Sequence, residues 1–381
     1  MIDLIVHPHH RFTGSFAPLL PALGEPVRVL YGDPDTLREY LPTLRHNPPK
    51  LLILWQLEHL SWWASGFCPV VIFPMYDHTM HTPDDWLVKM GDVRWICLSR
   101  TMHQRLAGLG LDSRYFPYAP DPAGFPEVSW ERGARAYFWE RRPEELDAKA
   151  VAGLVSSLGV DSLEVRSLAD LFFARPTASG AMEGERLWQP REEYLRILGE
   201  YNVFVAPRRF EGIGMAFLEA MAMGMCVVAE NQPTAHEYIV SGENGVLFSA
   251  ENGCLFPPRR ATLSDLIRMG KAARASIAGI HQQWQDNKVK ICRCVEEVAA
   301  KVPPGKSRPD IWQEAVLEFE ASPHKLGSLV EAVAEKPNIW RSEYQQKKAR
   351  LVDSRHRKSF LNRFIRYPRK TLRSLIAKRP V

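Results

Sequence analysis

The chain has no apolar run near the roughly 18 residues needed to cross a bilayer; its strongest, Leu51 to Trp55 and Val70 to Phe73, are strand length. The opening Met-Ile-Asp-Leu-Ile-Val-His lacks the basic start, apolar stretch and small-residue cleavage site of a secretory signal, and reads as a first strand. Cysteine is sparse: Cys68, Cys97, Cys226, Cys254, Cys292 and Cys294 are scattered, most inside apolar runs, which suits buried free thiols and a reducing compartment. Cys292 and Cys294 have no second Cys or His pair at ligand spacing, so a zinc centre is not expected. Aspartates at Asp-x-Asp spacing occur only as Asp33-Pro-Asp35 in an early turn, which leaves no clear divalent-cation motif. No internal repeat is present.

What remains is an ordinary folded composition. Hydrophobic residues make up 45% and charged residues 24% of 381, enough for two domains and an appendage. The net charge of +5 hides a segregation. Residues 341–381 hold fourteen Lys or Arg against Glu343 and Asp353, a balance of +12, so the first 340 residues sum to −7.

The first third alternates β-rich runs with helix-like or loop segments: Leu4 to Val6, Val27 to Tyr31, Leu51 to Trp55, Val70 to Phe73 and Arg94 to Leu98, then a helix over Arg100 to Leu109. Continuous apolar strands separated by crossovers predict a parallel sheet covered on both faces. The proline-rich stretch Phe116 to Pro126 interrupts the pattern and marks a boundary. A second βα series follows, with strands at Ala136 to Trp139, Ser162 to Arg166 and Asn202 to Ala206, and a helix over Leu146 to Leu158. The expected organisation is a first α/β domain at 1–125, a second at 126–300, and a helical extension with a basic amphipathic tail at 301–381.

The densest segment runs from Phe204 to Ala229 and reads as strand, glycine loop, small-residue helix, strand. Ligands of open α/β sheets bind beyond the carboxyl ends of strands, where helix N-termini offer free amides to phosphate. Gly212 and Gly214 permit close backbone approach. Glu211 in the loop and Glu219 in the helix can face one pocket at different depths, and carboxylates accept the paired hydroxyl protons of sugars. A solvated helix face explains most lone pairs of glutamates eight apart.

The segment resembles the Glu, seven residues, Glu motif of the family 4 retaining glycosyltransferases, which have the GT-B fold. Asn231 to Ile239 and Gly242-Glu-Asn-Gly245 extend the resemblance through the family's Glu-x-Ile and Gly-x-Asn-Gly sequence. The resemblance implies two Rossmann-like domains whose parallel sheets face each other across a cleft. It also implies transfer from a nucleotide-diphosphate sugar with retention and no obligatory metal or other cofactor. By it, Glu211 contacts the transferred sugar, Glu219 the nucleotide ribose, and the backbone of Gly212, Ile213, Gly214 and Met215 the sugar and diphosphate, with Thr234 a further donor-site candidate.

The family's Arg and Lys pair after the first donor-domain strand is incomplete. Glu140-Arg141-Arg142-Pro143 makes Arg141 the candidate arginine, while the lysine has no counterpart before Lys149; Arg208 or Arg209 is the expected substitute. A solvated strand end is the plainer account of Arg141 and Arg142. In the first domain His78, in Tyr76-Asp77-His78, stands where related enzymes place a histidine beside the sugar, although His81 and His103 compete with it and a loop histidine is commonly just exposed. His7, His9 and His10 follow the first strand, and Gly14 of the loop Phe12 to Ser15 is expected to line the cleft or simply form a turn.

From Ser359 the tail interleaves cations with Phe360, Leu361, Phe364 and Ile365 at helical spacing. Attachment to an anionic membrane surface, packing on the body and nucleic-acid binding are the readings open to it; no nucleic-acid module accompanies it, and the first is preferred. The expectation is a cytoplasmic enzyme, peripheral on the inner membrane face. It moves sugar to a glycan or lipid-linked acceptor in lipopolysaccharide or other envelope-polysaccharide synthesis. A nucleotide-sugar epimerase, a glycoside phosphorylase or a non-catalytic sugar-binding protein of the same fold are the alternatives.

Overall fold

The computed structural model describes residues 1–90, 92–167, 191–251, 254–257 and 259–301. Strands β1 (Ile2–Val6), β2 (Val27–Tyr31), β3 (Leu51–Trp55), β4 (Val70–Phe73), β5 (Arg94–Cys97) and β6 (Ser113–Tyr115) form one sheet, wholly parallel, in the order 2-1-3-4-5-6. Register places Leu4 opposite both Val29 and Ile53. The central strands are buried along their whole length, so every residue of Leu-Leu-Ile-Leu-Trp in β3 is apolar. Each such side chain contributes about 1.5–3 kcal/mol on leaving water.

The second sheet contains β7 (Arg135–Glu140), β8 (Ser162–Ser167), β9 (Val203–Val205), β10 (Cys226–Glu230), β11 (Val246–Glu251) and β12 (Cys254–Phe256) in the order 12-11-10-9-7-8. It is parallel except for the antiparallel edge pair β11 and β12. Helices begin where the sequence supplies caps: Asp147 Oδ1 accepts from Ala150 N–H at 2.7 Å, and Thr262 and Asp265 make a reciprocal capping box. These two Rossmann-like halves are the expected GT-B architecture. The helical extension and basic tail expected at 301–381 lie, after Lys301, outside the described residues.

Residues 261–300 hold a single long helix, Leu263–Ala299. Gly270 does not break it. A Cβ there would come within 2.3 Å of the Gly224 carbonyl oxygen, so the glycine serves a close helix-to-loop approach. The helix buries Leu266, Met269 and Ala273 near its start and Ile291 and Val295 near its end. At that end Arg94 of β5 donates to Glu297 at 2.6 Å and to Asp112 at 2.9 Å, which ties the helix to the first lobe.

The lobes also meet through one apolar cluster that includes Val6, Trp55, Phe73 and Met75 of the first and Ile213, Phe217 and Tyr238 of the second. Where the chain passes between lobes, the Tyr118 ring stands 5.2 Å from that of Trp284, edge to face, and His281 Nδ1 lies 3.0 Å from the Ala119 carbonyl oxygen.

Candidate functional site

In each sheet the strand order reverses at one place: at β1, flanked by β2 and β3, and at β7, flanked by β8 and β9. Loops leaving the carboxyl ends on either side of such a point diverge and open a crevice. The segments after β1, β3, β4, β7 and β9 converge between the lobes. They carry most of the residues singled out above.

Glu211 and Arg208 leave β9. The Arg208 guanidinium donates from Nη1 to Asp77 Oδ2 at 2.6 Å and stands 4.0 Å from Glu211 Oε2, with all three side chains nearly out of solvent. Arg141, leaving β7, lies with its guanidinium 4.7 Å from the ring centre of Trp139, within electrostatic reach of Glu211. Burial pushes the Glu211 carboxyl up to about 7, and Asp77 adds to this, while Arg208, Arg141 and Arg142 oppose it. Burial holds Arg141 below its ordinary range, yet arginine remains charged at any working pH.

The loop from Gly212 to Gly214 explains its glycines. A Cβ on Gly212 would come 2.8 Å from Asp77 Oδ1 and 3.1 Å from Met75 Cβ, so the first lobe presses on this loop. Gly214 has φ +82° and lies over the Phe217 ring, where a Cβ would be 2.0 Å from the nearest carbon. It caps the helix Met215–Ala222, with Ile213 buried and Met215 half-buried at the helix start. Thr234 holds the loop from beneath: its hydroxyl donates to the Glu211 carbonyl at 2.8 Å, from a backbone at φ +76° that a β-branched residue adopts only under tertiary constraint.

Glu219 is buried, on the second turn of that helix, and accepts from Arg191 Nη1 at 2.7 Å. Burial raises its pKa, and Arg191 opposes the rise. Arg191 also lies 5.6 Å over the Phe125 ring. The half-buried Tyr194 is within electrostatic reach of both Glu219 and Arg141.

The first-lobe side holds three histidines after β1. His7 and His9 share a 2.6 Å contact between Nδ1 atoms, so one ring's N–H donates to the other's lone pair, and the His9 and His10 ring centres are 3.9 Å apart. His10 contacts Gln56 Oε1 at 2.9 Å and Ser15 Oγ at 2.7 Å. Burial first, then mutual repulsion, pushes His9 down to about 3; burial also brings His10 to about 4, so both are neutral at pH 7. His78 is half-exposed and lies 3.5 Å from the buried Glu58, which also accepts from Thr79 at 2.7 Å. Gly14 has φ +57° and open space where a Cβ would project.

Arg209, the alternative to Arg208, turns away. It forms a bidentate pair with the buried Glu230, both contacts at 2.6 Å. Sequence reasoning missed Asp77, although it sits inside the quoted tripeptide, and also Glu58 and Arg191. It quoted Glu237 only as part of a motif. That carboxylate crosses to the first lobe, where it accepts from Ser99 Oγ at 2.9 Å, Arg100 N–H at 2.6 Å and Thr101 N–H at 3.0 Å, at the start of the helix Arg100–Gly108. Among the described residues no three His, Cys, Asp or Glu side chains converge as metal ligands, and no helix is long and apolar enough to cross a membrane.

Residues 174–259 match the family described as Glycosyl transferases group 1. Curated protein sequences yield no match. Among solved structures, sucrose-phosphate synthase (tll1590) from Thermosynechococcus elongatus superposes with a TM-score of 0.51 at 13% identity, covering 78% of this chain and 99% of that one. The lipopolysaccharide outer core galactosyltransferase WaaB, in its apo form, gives 0.51 at 11% identity, covering 77% and 99%. Residues 174–259 are thus similar to the group 1 glycosyltransferases, and the chain shares the GT-B fold of these solved structures.

Proposed function

We propose that the chain transfers a sugar from a nucleotide-diphosphate donor to a glycan or lipid-linked acceptor, with retention at the anomeric carbon. The reading rests on one arrangement: a largely enclosed carboxyl, Glu211, 4.0 Å from the Arg208 guanidinium and within electrostatic reach of Arg141, at the lip of a glycine loop that opens the helix Met215–Ala222. Carboxylate oxygens there accept from sugar hydroxyls, and Glu219, once Arg191 moves aside, accepts from the ribose diol. Arg141 and Arg208 stand where a diphosphate would need neutralising, with Arg208 serving in place of the family's lysine.

The bond between the anomeric carbon and the phosphate oxygen breaks with its electron pair going to the nucleoside diphosphate. The acceptor hydroxyl oxygen forms the new bond, and its proton leaves toward the departing phosphate. Exclusion of water between the lobes protects the activated sugar from hydrolysis. Two arginines supply the charge that a divalent cation supplies elsewhere, so turnover is expected to survive EDTA. The basic sequence of 341–381 supports a lipid-linked acceptor at an anionic membrane face, and with it a place in envelope-polysaccharide synthesis. Flotation with anionic vesicles tests that attachment: a chain that stays in the aqueous fraction refutes it.

Thermal stabilisation across UDP-, GDP-, ADP- and dTDP-sugars identifies the donor, and product NMR reads the anomeric configuration. Glu211→Ala is expected to remain folded and lose transfer; undiminished transfer overturns the site.

A further inference from the structure

Asp77, an acid of the first lobe, is in direct contact with the loop that bears Glu211. Its Oδ2 accepts from Arg208 Nη1 at 2.6 Å, and the same nitrogen stands 4.0 Å from Glu211 Oε2. Two carboxylates, one from each lobe, therefore compete for a single guanidinium nitrogen. Asp77 currently holds it.

The contact is built into the fold. Asp77 lies in the first turn of the short helix Tyr76–Thr79, directly after β4, and that segment presses on Gly212 closely enough to exclude a methyl group. Arg208 is only 13% exposed, and its Nε makes no hydrogen bond, so the guanidinium has donor capacity to spend on another partner. The Asp77 contact is what draws Arg208 toward the first lobe and away from Glu211. Closing the remaining gap would convert a 4.0 Å neighbour into a direct ion pair and occupy the oxygens that a sugar must reach.

We propose that Asp77 is a positioning residue: by drawing Arg208 toward the first lobe it keeps the Glu211 carboxylate open to substrate, and it does so only while the lobes are together. This rests on the glycosyltransferase reading of Glu211. The charged groups facing Glu211 are Arg208 from its own loop, Arg141 and Arg142 from the end of β7, and Asp77 from the first lobe. His9 stands near both Asp77 and Arg141, and Glu145 faces Arg208. Replacing Asp77 by asparagine removes one negative neighbour of Glu211 and frees a positive one, and both changes favour the ionised carboxylate.

The test uses the full chain carrying Asp77→Asn. Glutamate labelled with ¹³C at the carboxyl carbon, with the Glu211 signal assigned through Glu211→Gln, gives a titration that needs no turnover. The Glu211 midpoint is expected to fall by at least about one pH unit relative to wild type. In transfer assays, kcat/KM is expected to fall about tenfold, with the acid limb of the pH profile moved in the same direction, and Asp77→Glu is expected to restore both. Asp77→Ser serves as the second variant where Asp77→Asn does not give folded protein. A folded variant whose Glu211 titration is unmoved, or whose kcat/KM is unchanged, overturns the proposal. If wild type transfers sugar and the variant matches it, Asp77's role alone falls. If wild type transfers nothing from any donor tried, the transferase reading falls and with it the substrate part of the proposal, while the titration still decides whether Asp77 controls the Arg208 and Glu211 pair.

Discussion

Replacing Glu211 by glutamine removes a carboxyl group that folding places at a disadvantage. Burial raises its pKa from 4.5 to about 7 against the pull of three arginines. Between those values the native state binds more protons than the unfolded chain, so the contribution of Glu211 to stability is full below pH 4.5 and is lost as pH rises through 7. The interval is worth about 3 kcal/mol, at about 1.4 kcal/mol for each pH unit. Glutamine does not titrate. Relative to wild type, Glu211→Gln should therefore gain stability progressively from pH 5 to pH 8, approaching about 3 kcal/mol at the upper end. Urea unfolding at pH 5, 6, 7 and 8, followed by tryptophan fluorescence, measures the difference. The lowered His9 and His10 act with the opposite sign, weakening the fold as pH falls below 6.5, but they are common to both proteins and cancel. A difference that stays constant over this range, or shrinks with rising pH, refutes the assignment of Glu211 to a desolvated site.

Glu237→Ala removes a carboxylate that accepts from one hydroxyl and two backbone amides across the lobe boundary. A loss of about 2 kcal/mol is expected, seen in calorimetry as a Tm lowered by about 4–8 °C, with Glu237→Gln losing about half as much. Gly214→Ala puts a methyl into the Phe217 ring from a left-handed backbone. It should cost about 2 kcal/mol or more and abolish the thermal response to nucleotide sugars, as read by differential scanning fluorimetry. Arg208→Gln and Arg209→Met should separate cleanly in the same assay. The former loses the donor response, and it costs about 1–3 kcal/mol because Asp77 and Glu211 lose their shared cation. The latter leaves the buried Glu230 without its bidentate partner and loses about 3 kcal/mol, while the remaining folded protein still responds to donor.

Strands buried on both faces, such as β3 and β4, were legible because nothing but apolar residues fits between two helical layers. The edge strands β6 and β12 were not: each has three residues, too short to establish a pattern, and Ser113-Arg114-Tyr115 has no apolar run at all. The long helix Leu263–Ala299 carries a glycine, a residue ordinarily unfavourable inside a helix. Only the position of Gly224 shows why Gly270 is tolerated. Within the site, Glu211, Glu219 and the glycine loop lie close together in sequence and were found together. Arg208 and Arg209 are adjacent and chemically identical, so their divergence toward Asp77 and Glu230 depends on which strand end each faces. The partners of Arg208 and of the helix Arg100–Gly108 come from more than a hundred residues away, beyond the reach of periodicity or spacing.

The chain crosses between its halves twice, first past Tyr118 and again within the helix Leu263–Ala299, and the two passages touch where Tyr118 meets Trp284. Two adjacent threads restrict a swinging body to a narrow set of rotations about the place where they run side by side. Displacement then grows with distance from that place, so groups beside Trp284 barely shift while remote edges of the crevice travel furthest. For any such rotation, the reach of each loop is set by leverage, by how far it lies from a pivot the size of two aromatic rings.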